Sequence, residues 1–292
     1  MKKKRNIFQW YLDYNKIKNK NSVLDRLCEF NSINSKKFNT MALPSFDYIS
    51  NVISIDGMYE KEELIFLKEK ILKKIQRNTA LDIGGHIGNH SVFFSNQFKE
   101  VYAFEPNPQI FRYLKFNLEN IKNAYCFNYG ASNQNVSLRL QTLKNNSGAS
   151  KIVIKKNKKN LICKFKKLDN LKFKNKKINL IKIDVEGHEV EALEGMIQIV
   201  EKNKPIILFE NMRSTNQTKF MNNLKNSGYK YFYSLSRKKW KTNKNMNFLF
   251  RILLKSFEAI FYGAPEYSFQ LSELRFDNTE SHFHIASFKK LK

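Results

Sequence analysis

The segment Ala80-Leu-Asp-Ile-Gly-Gly-His-Ile-Gly-Asn-His90 predicts the fold of this chain, because a short apolar strand runs into a glycine-rich turn and then into a helix. Gly84, Gly85 and Gly88 allow the backbone to approach a ligand closely where a Cβ would obstruct it. The helix that follows presents free N–H groups at its N-terminus. Together these features indicate a pocket that cradles a nucleotide-like cofactor.

A second apolar run, residues 101–106, places an acid where such a cofactor carries its ribose. Glu105 lies in this run, 21 residues beyond Gly84 in the sequence. An acid at about this spacing accepts hydrogen bonds from the two hydroxyls of a ribose. We therefore predict a cofactor site that includes Glu105 and its neighbours Pro106 and Asn107.

The chemistry of the turn distinguishes between cofactors. It reads Asp82-x-Gly84-x-x-x-Gly88 instead of G-x-G-x-x-G, and no G-x-x-x-x-G-K-[ST] occurs in the chain. The carboxylate of Asp82 would repel a pyrophosphate, but it suits a cofactor that carries an amino group and a sulfonium. We therefore expect S-adenosylmethionine, with His86 lining the pocket through its backbone.

Three blocks of the sequence resemble the FkbM-type S-adenosylmethionine-dependent methyltransferases. They are residues 81–88 (LDIGGHIG), 103–108 (AFEPNP) and 181–189 (IKIDVEGHE), the last followed by Glu194 and Gly195. The resemblance spans roughly residues 52–233. One departure is that His86 and His90 stand where the family more often has small or polar residues and an aromatic. The resemblance implies an α/β class I methyltransferase (Rossmann-like) fold, an open, mostly parallel seven-stranded sheet with helices on both faces.

The alternation of strand and helix patterns agrees with a parallel sheet. We predict a helical N-terminal extension at 1–50 and a methyltransferase domain at 51–292, with insertions at about 133–170 and 237–281. The predicted strands are 52–55, 79–84, 100–105, 124–129, 178–184, 205–210, 229–235 and an antiparallel closing strand at 282–288. The predicted helices are 61–76, 88–98, 108–120, 189–200 and 216–227, and short antiparallel runs are expected at 136–142, 151–154 and 161–165.

The composition narrows the classes of protein to which this chain can belong. A chain of 292 residues with 42% apolar content and 25 Phe can bury a sizeable core. It has no apolar run of about 18 residues, no convincing signal peptide and only three scattered cysteines, so we expect a cytoplasmic protein. The net charge of +26 comes mainly from Lys, and Arg, the usual reader of phosphates and guanines, is scarce. The chain is also rich in Asn, Ile and Phe, so we attribute the charge mainly to AT-rich codon usage. This argues against a nucleic-acid partner and leaves attraction to an anionic membrane or a phosphorylated, acidic glycan open.

The strand ends carry the candidate chemistry, because ligands of open parallel sheets bind at the carboxyl ends of the strands. Asp82, Glu105, Asp184 and Glu210 are expected there, and four acids on one rim would repel each other unless a positive charge lay between them. A sulfonium cofactor or a divalent cation would supply that charge. Gly130, Ala131 and Ser132 end the third strand, and we add Ala131 and Ser132 to the cofactor site.

Asp184 is the main catalytic candidate, with Glu186 and His188 close behind it in the sequence. Methyl transfer needs an acceptor that loses its proton, and a carboxylate or an imidazole serves that purpose. His188 is a candidate base because its unperturbed pKa is close to the operating pH. The alternatives are a solvent-facing His188, and acids at 186 and 189 that simply favour the N-terminus of a helix.

A metal site is a further hypothesis. Asp184, Glu210 and Asn211 supply three oxygen ligands from adjacent strand ends, as Mg²⁺ prefers, and the layout is similar to that of catechol-type O-methyltransferases. Glu in place of Asp at 210 weakens the match. His282 and His284 alternate on the closing strand, and without nearby acidic or Cys partners we assign them a structural role.

The insertion at 237–281 contains an apolar helical pattern at 248–262 that follows a basic stretch. It predicts either a lid over the acceptor pocket or a peripheral membrane contact through 237–262. The leading functional hypothesis is an O-methyltransferase acting on a hydroxyl of a sugar, a glycan or a small polar metabolite. The alternatives are an RNA ribose methyltransferase and a non-catalytic S-adenosylmethionine-binding module. The sequence does not indicate the oligomeric state.

Overall fold

A computed structural model describes residues 41–45, 47–143, 146–153, 160–171, 173, 176–210, 215–238, 268–273 and 283–291. Most of the predicted N-terminal extension, residues 1–40, lies outside this part of the chain. So do Asn211, His282 and the predicted lid or membrane segment at 248–262. Within the described part, no helix is long and apolar enough to cross a membrane.

Twelve strands are present in the described residues, and they form two sheets. Their bounds are β1 Thr79–Ile83, β2 Glu100–Phe104, β3 Ala124–Phe127, β4 Gly130–Ala131, β5 Val136–Leu143, β6 Asn146–Ile152, β7 Leu161–Lys166, β8 Ile178–Ile183, β9 Ile206–Glu210, β10 Tyr231–Lys238, β11 Ser268–Glu273 and β12 Phe283–Ser287. The order of the large sheet is β11-β10-β12-β9-β8-β1-β2-β3. Its strands from β9 to β3 are parallel, while β12, β10 and β11 pair antiparallel at the other edge.

Helices cover both faces of the large sheet. Their bounds are α1 Tyr48–Asp56, α2 Lys61–Lys70, α3 Asn89–Ser95, α4 Pro108–Leu118, α5 Glu189–Glu194, α6 Ile197–Asn203 and α7 Thr215–Asn226. Alternate residues of β1 and β8 point to opposite faces, so that Leu81 and Ile183 join the core under α5 to α7 while Ala80 and Leu180 join the core under α2 and α3. By the same alternation, Asp82 and Lys182 point toward the face of the sheet that α2 and α3 cover.

The large sheet differs from the prediction in its strand number. Eight described strands replace the predicted seven, because β11 pairs with β10 inside the region predicted as the 237–281 insertion. The closing strand β12 is confirmed as antiparallel to β9. The short runs expected between 133 and 170 are confirmed as the small sheet, ordered β4-β7-β5-β6.

One predicted strand and two predicted helices also need correction. The strand predicted at 52–55 is wrong, because these residues belong to α1, where the carboxylate of Asp47 accepts a hydrogen bond from the Ser50 N–H and caps the helix. The helix predicted at 61–76 ends at Lys70 and continues only as a short 3₁₀ turn. The helix predicted at 189–200 is broken near Gly195, where a Cβ would lie 1.9 Å from the carbonyl oxygen of Ser132.

Candidate active site

A cleft opens where the parallel strands of the large sheet end. The glycine turn after β1 and the ends of β2, β8 and β9 form its floor. The small sheet forms one wall, and residues around α1 and α2 form the opposite wall. The floor residues that were predicted from the sequence and line the cleft are Gly84, Gly85, His86, Glu105, Pro106, Asp184, Glu186 and Glu210. The fold therefore places most of the predicted acids in this one cleft.

The protein atoms around Gly84 require a glycine at this position. Its backbone has φ +82°, and a Cβ built there would lie 1.8 Å from the carbonyl oxygen of Asp184. The N–H groups of Gly84 and Gly85 both donate to the carbonyl oxygen of Phe104, at 3.0 and 2.9 Å. The turn is therefore held between β8 on one side and the end of β2 on the other.

Glu105 lies buried at the end of β2 and ties two loops together. Its Oε2 accepts a hydrogen bond from the His86 N–H at 3.0 Å, and its Oε1 accepts one from the Asn107 N–H at 2.8 Å. Burial raises the pKa of Glu105 to about 7, although these two backbone donors oppose the shift. A carboxylate oxygen can accept a further hydrogen bond, so the group fits the predicted role on a ribose.

Lys182, which sequence reasoning missed, lies between two of the acids. Its ammonium nitrogen is 3.1 Å from Oδ1 of Asp82, 3.2 Å from Oδ2 of Asp184 and 3.1 Å from the carbonyl oxygen of Gly84. Burial would lower the pKa of Lys182, but Asp184 and Asp82 outweigh it and hold that pKa above its usual range. The positive charge expected from a cofactor or a cation is thus supplied in part by the protein.

Asp82 does not line the cleft, contrary to its predicted contact with the cofactor. It is completely buried, and its Oδ2 accepts a hydrogen bond from the Ser91 hydroxyl at 2.6 Å while Oδ1 faces Lys182. The side chain therefore joins β1, β8 and α3. A lysine inside the apolar run Leu180-Ile-Lys-Ile183 was the one sequence signal for this arrangement, because buried lysines are rare unless paired.

Three carboxylates gather on the cleft floor. Asp184, Glu186 and Glu210 each offer an oxygen within 4.8 Å of the others. Burial and the charge of Asp184 raise the pKa of Glu186 to about 7 and that of Glu210 to about 9. Burial would also raise the pKa of Asp184, but Lys182 holds it below its usual range. At neutral pH the cluster therefore has an ionised Asp184 beside a protonated Glu210.

His188 lies behind the cleft wall. Its Nε2 is 3.0 Å from the Ser132 hydroxyl, its Nδ1 is 3.5 Å from Oε2 of Glu191, and its ring packs against Phe165. Burial lowers the pKa of His188, an effect that Glu191 opposes. Neither His188 nor Ser132 is among the described residues that line the cleft, and a role of His188 as a base stays a prediction.

The other predicted cofactor residues shape the loops around the cleft. Gly88 precedes α3 with φ +97°, and Asn107 caps α4 by accepting a hydrogen bond from the Gln109 N–H at 3.0 Å. Ala131 is buried in β4, next to the cleft-lining Gly130. These residues support the site from behind its surface.

The parallel order β3-β2-β1-β8-β9, closed by antiparallel β12, with a glycine turn after β1 and an acid at the end of β2, defines the class I methyltransferase fold. Residues 82–231, more than half of the chain, match the Methyltransferase FkbM domain. The chain therefore belongs to the FkbM methyltransferase family, as the sequence resemblance indicated.

Several known proteins are similar to this chain. The hexuronic acid methyltransferase AglP of Haloferax volcanii is 29% identical over 144 residues, which cover 47% of this chain and 58% of AglP. The crystal structure of an FkbM methyltransferase from Methylobacillus flagellatus has 14% identity to this chain and a TM-score of 0.44. The match covers 75% of this chain and 57% of the Methylobacillus chain. A precorrin-6y C5,15-methyltransferase from Geobacter metallireducens has 14% identity and a TM-score of 0.43, with coverages of 85% and 94%. The chain thus spans less than two thirds of AglP and of the Methylobacillus protein.

Proposed function

We propose that this protein is an S-adenosylmethionine-dependent O-methyltransferase that acts on a hydroxyl of a sugar, a glycan or another small polar metabolite. The observation that carries the proposal is the buried Glu105 at the end of β2, facing a cleft whose opposite end holds a cluster of acids. Membership of the FkbM family supports methyl transfer. The name of AglP, a hexuronic acid methyltransferase, supports a sugar acceptor.

The residues on the cleft floor fit S-adenosylmethionine. Glu105 would hold the ribose, while Gly84, Gly85, His86 and Pro106 would form the surface beneath the cofactor. When bound, the cofactor supplies a methyl group activated by a positively charged sulfur. The acids at the other end of the floor give that part of the cleft a negative field, which favours a cationic group there.

The protein's own groups set the charge in the reacting part of the cleft. Lys182 neutralises part of the charge of Asp82 and Asp184, so that the acids remain buried together without a full repulsive cost. Glu210, protonated at neutral pH, shares a hydrogen bond with Asp184. We propose that Asp184 and Glu186 orient the acceptor hydroxyl, since both line the cleft and can accept its hydrogen bond.

The walls around these acids suit a compact polar acceptor with apolar faces, such as a sugar. The small sheet contributes Leu140, Ile152 and Phe165 to the cleft, and Tyr48 and Tyr59 come from the opposite wall. Burial raises the pKa of Tyr59, so its hydroxyl keeps its proton and can donate a hydrogen bond. Aromatic faces beside hydroxyl-binding groups would hold a sugar ring by its apolar and polar surfaces together.

Magnesium stays a prediction. Asp184 and Glu210 lie together as expected, and their oxygens are of the type that Mg²⁺ prefers. Asn211, the third proposed ligand, lies outside the described residues. Asp184 also pairs with Lys182, so a cation at this place would share the carboxylate with that ammonium group.

Methyl transfer from labelled S-adenosylmethionine tests the proposal. The acceptors are a neutral methyl glycoside, a hexuronic acid, an amino sugar and RNA, each incubated with the wild type and with Glu105→Ala. Glu119→Ala is the matched control, because Glu119 is exposed just after α4. Label in a sugar fraction that depends on Glu105 supports the proposal. Label in RNA alone favours a ribose methyltransferase, and cofactor binding without transfer favours a non-catalytic module.

A further inference from the structure

We propose that His90 and Glu60 receive the acceptor, with His90 accepting the proton of the methylated hydroxyl and Glu60 binding the hydroxyl next to it. This inference rests on the proposed function and deepens it, because it names a vicinal diol as the acceptor group. Both residues line the cleft, together with Asp184 and Glu210.

The two side chains face each other with unmet hydrogen-bonding capacity. Nε2 of His90 lies 3.1 Å from Oε2 of Glu60, and the side chains are only 9% and 13% exposed. Despite this distance, neither atom makes a well-directed hydrogen bond to any described residue. Buried polar atoms without such partners are costly, so a ligand that supplies two adjacent hydroxyl donors would relieve both. A vicinal diol of a sugar has that geometry.

The position of Glu60 is fixed by the helix that carries His90. The side-chain oxygen of Asn89 accepts a hydrogen bond from the Tyr59 N–H, and its amide group donates one to the Tyr59 carbonyl, both at 3.0 Å. This pair of bonds joins the segment before α2 to the start of α3. Glu60 has φ +55°, a left-handed conformation that is unfavourable for a residue with a Cβ.

The imidazole of His90 is held from its other sides by aromatic rings. The ring of Phe283 packs against it edge-on at 5.8 Å between centroids, and the ring of Phe94 lies at 6.1 Å. These contacts leave the ring few ways to turn. The pair is therefore assembled from three parts of the chain, which are α3, the segment before α2, and β12.

The proposed step balances as follows. The O–H bond of the acceptor breaks and its proton passes to Nε2 of His90, while a lone pair of that oxygen forms the new bond to carbon. The bond between sulfur and the methyl carbon breaks, and its electrons stay on sulfur, so the sulfonium donor becomes a thioether. The imidazolium that forms lies beside the carboxylate of Glu60, which stabilises it.

Steady-state kinetics with the neutral methyl glycoside, together with calorimetry of S-adenosylmethionine binding, tests the inference. His90→Gln should lower kcat by 10²- to 10⁴-fold, the usual contribution of a general base, while cofactor affinity stays within threefold of the wild type. His90→Ala should regain activity when imidazole is added. Glu60→Gln should raise KM for the glycoside, and the exposed Glu62→Gln on α2 should change neither constant.

If the wild type is active on the glycoside, two results would overturn the inference. One is a His90→Gln enzyme with nearly normal turnover, and the other is a loss of turnover matched by a loss of cofactor affinity, which would place His90 against the cofactor. If the wild type methylates no sugar, the proposed function fails by itself. In that case calorimetry with the glycoside still decides the site, since binding that is lost in Glu60→Gln supports it and unchanged binding refutes it.

Discussion

The ammonium nitrogen of Lys182 lies 3.1 Å from Oδ1 of Asp82, and both side chains are excluded from solvent. This pair joins the two central strands, β1 and β8, directly beneath the cleft. Removing one partner of a buried ion pair leaves a buried charge without compensation, which typically costs about 3–5 kcal/mol. We therefore expect Lys182→Met to lower the free energy of unfolding by about that amount, measured by urea denaturation.

The control for this change is Lys164→Met, because Lys164 is exposed on β7. Surface substitutions of this kind stay within about 0.5 kcal/mol. The double variant Asp82→Asn with Lys182→Met should recover part of the lost stability, since only Asp184 then lacks its positive partner, instead of both acids. A Lys182→Met protein as stable as the Lys164→Met control would show that the pair contributes little.

Substitutions at Gly84 and Gly187 distinguish the cost of a steric clash from the cost of a left-handed backbone conformation. Both have positive φ, at +82° and +96°, but a Cβ at 84 would meet the Asp184 carbonyl at 1.8 Å while one at 187 meets nothing within 4 Å. Gly187→Ala should therefore cost only the left-handed penalty of about 1–2 kcal/mol. Gly84→Ala should cost clearly more, and thermal unfolding of the two variants compares them. Equal losses of stability in the two variants would mean that the turn at Gly84 can move away from β8 without a steric cost.

Most of the site could be predicted because its residues follow a local pattern. The strand, the glycine turn and the acid at the end of the next strand are close in sequence, and the rule that parallel strands end at one edge brings Asp184 and Glu210 to them. The pairing of Lys182 with Asp82 could not be predicted in the same way, because these residues are far apart in sequence and their contact depends on strand order. The pair His90 and Glu60 depends likewise on how α2 and α3 pack.

The errors in the fold have a similar cause. Residues 52–55 contain Val52, Ile53 and Ile55, whose branched side chains favour a strand locally. The capping by Asp47 and the burial of Ile53 against neighbouring residues favour a helix instead, so tertiary context decides. The eighth strand, β11, lies in a region with no regular crossover pattern and is defined by its pairing with β10.

His284 gives a pH dependence to stability. Burial lowers its pKa to about 4, and its Nδ1 lies 3.2 Å from the Ser234 hydroxyl. The folded protein thus binds this proton less tightly than the unfolded chain, so the contribution of His284 is complete above pH 6.5 and is lost as the pH falls toward 4. Between pH 7 and 5 the wild type should lose more stability than His284→Leu, as measured by urea denaturation at each pH. Parallel losses in the two proteins would contradict this assignment.

Asp184→Asn tests the centre of the acid cluster. An amide does not carry the charge that pairs with Lys182, and it orients the acceptor hydroxyl less well than a carboxylate does. Because Lys182 keeps Asp82 as a partner, we expect the fold to persist, whereas turnover should fall by about 100-fold or more. Circular dichroism checks the fold, and labelled methyl transfer checks turnover. Adding EDTA to the wild type then tests whether Asp184 acts by holding Mg²⁺ or by positioning the acceptor. Activity that survives both chelation and Glu210→Gln would exclude the magnesium hypothesis and leave Asp184 a positioning role.

Glu105→Gln tests cofactor recognition and its pH dependence together. The ionised carboxylate is the better acceptor for ribose hydroxyls, and replacing it should weaken S-adenosylmethionine binding by about 2–3 kcal/mol at pH 8. Because burial raises the pKa of Glu105 to about 7, wild-type affinity should fall as the pH drops below 7, where the unliganded carboxyl takes up a proton. The Gln variant carries no such proton and should bind with an affinity that changes much less over this range. Calorimetry at pH 6, 7 and 8 measures both effects, and a wild type and variant with the same affinity at pH 8 would remove Glu105 from the cofactor site.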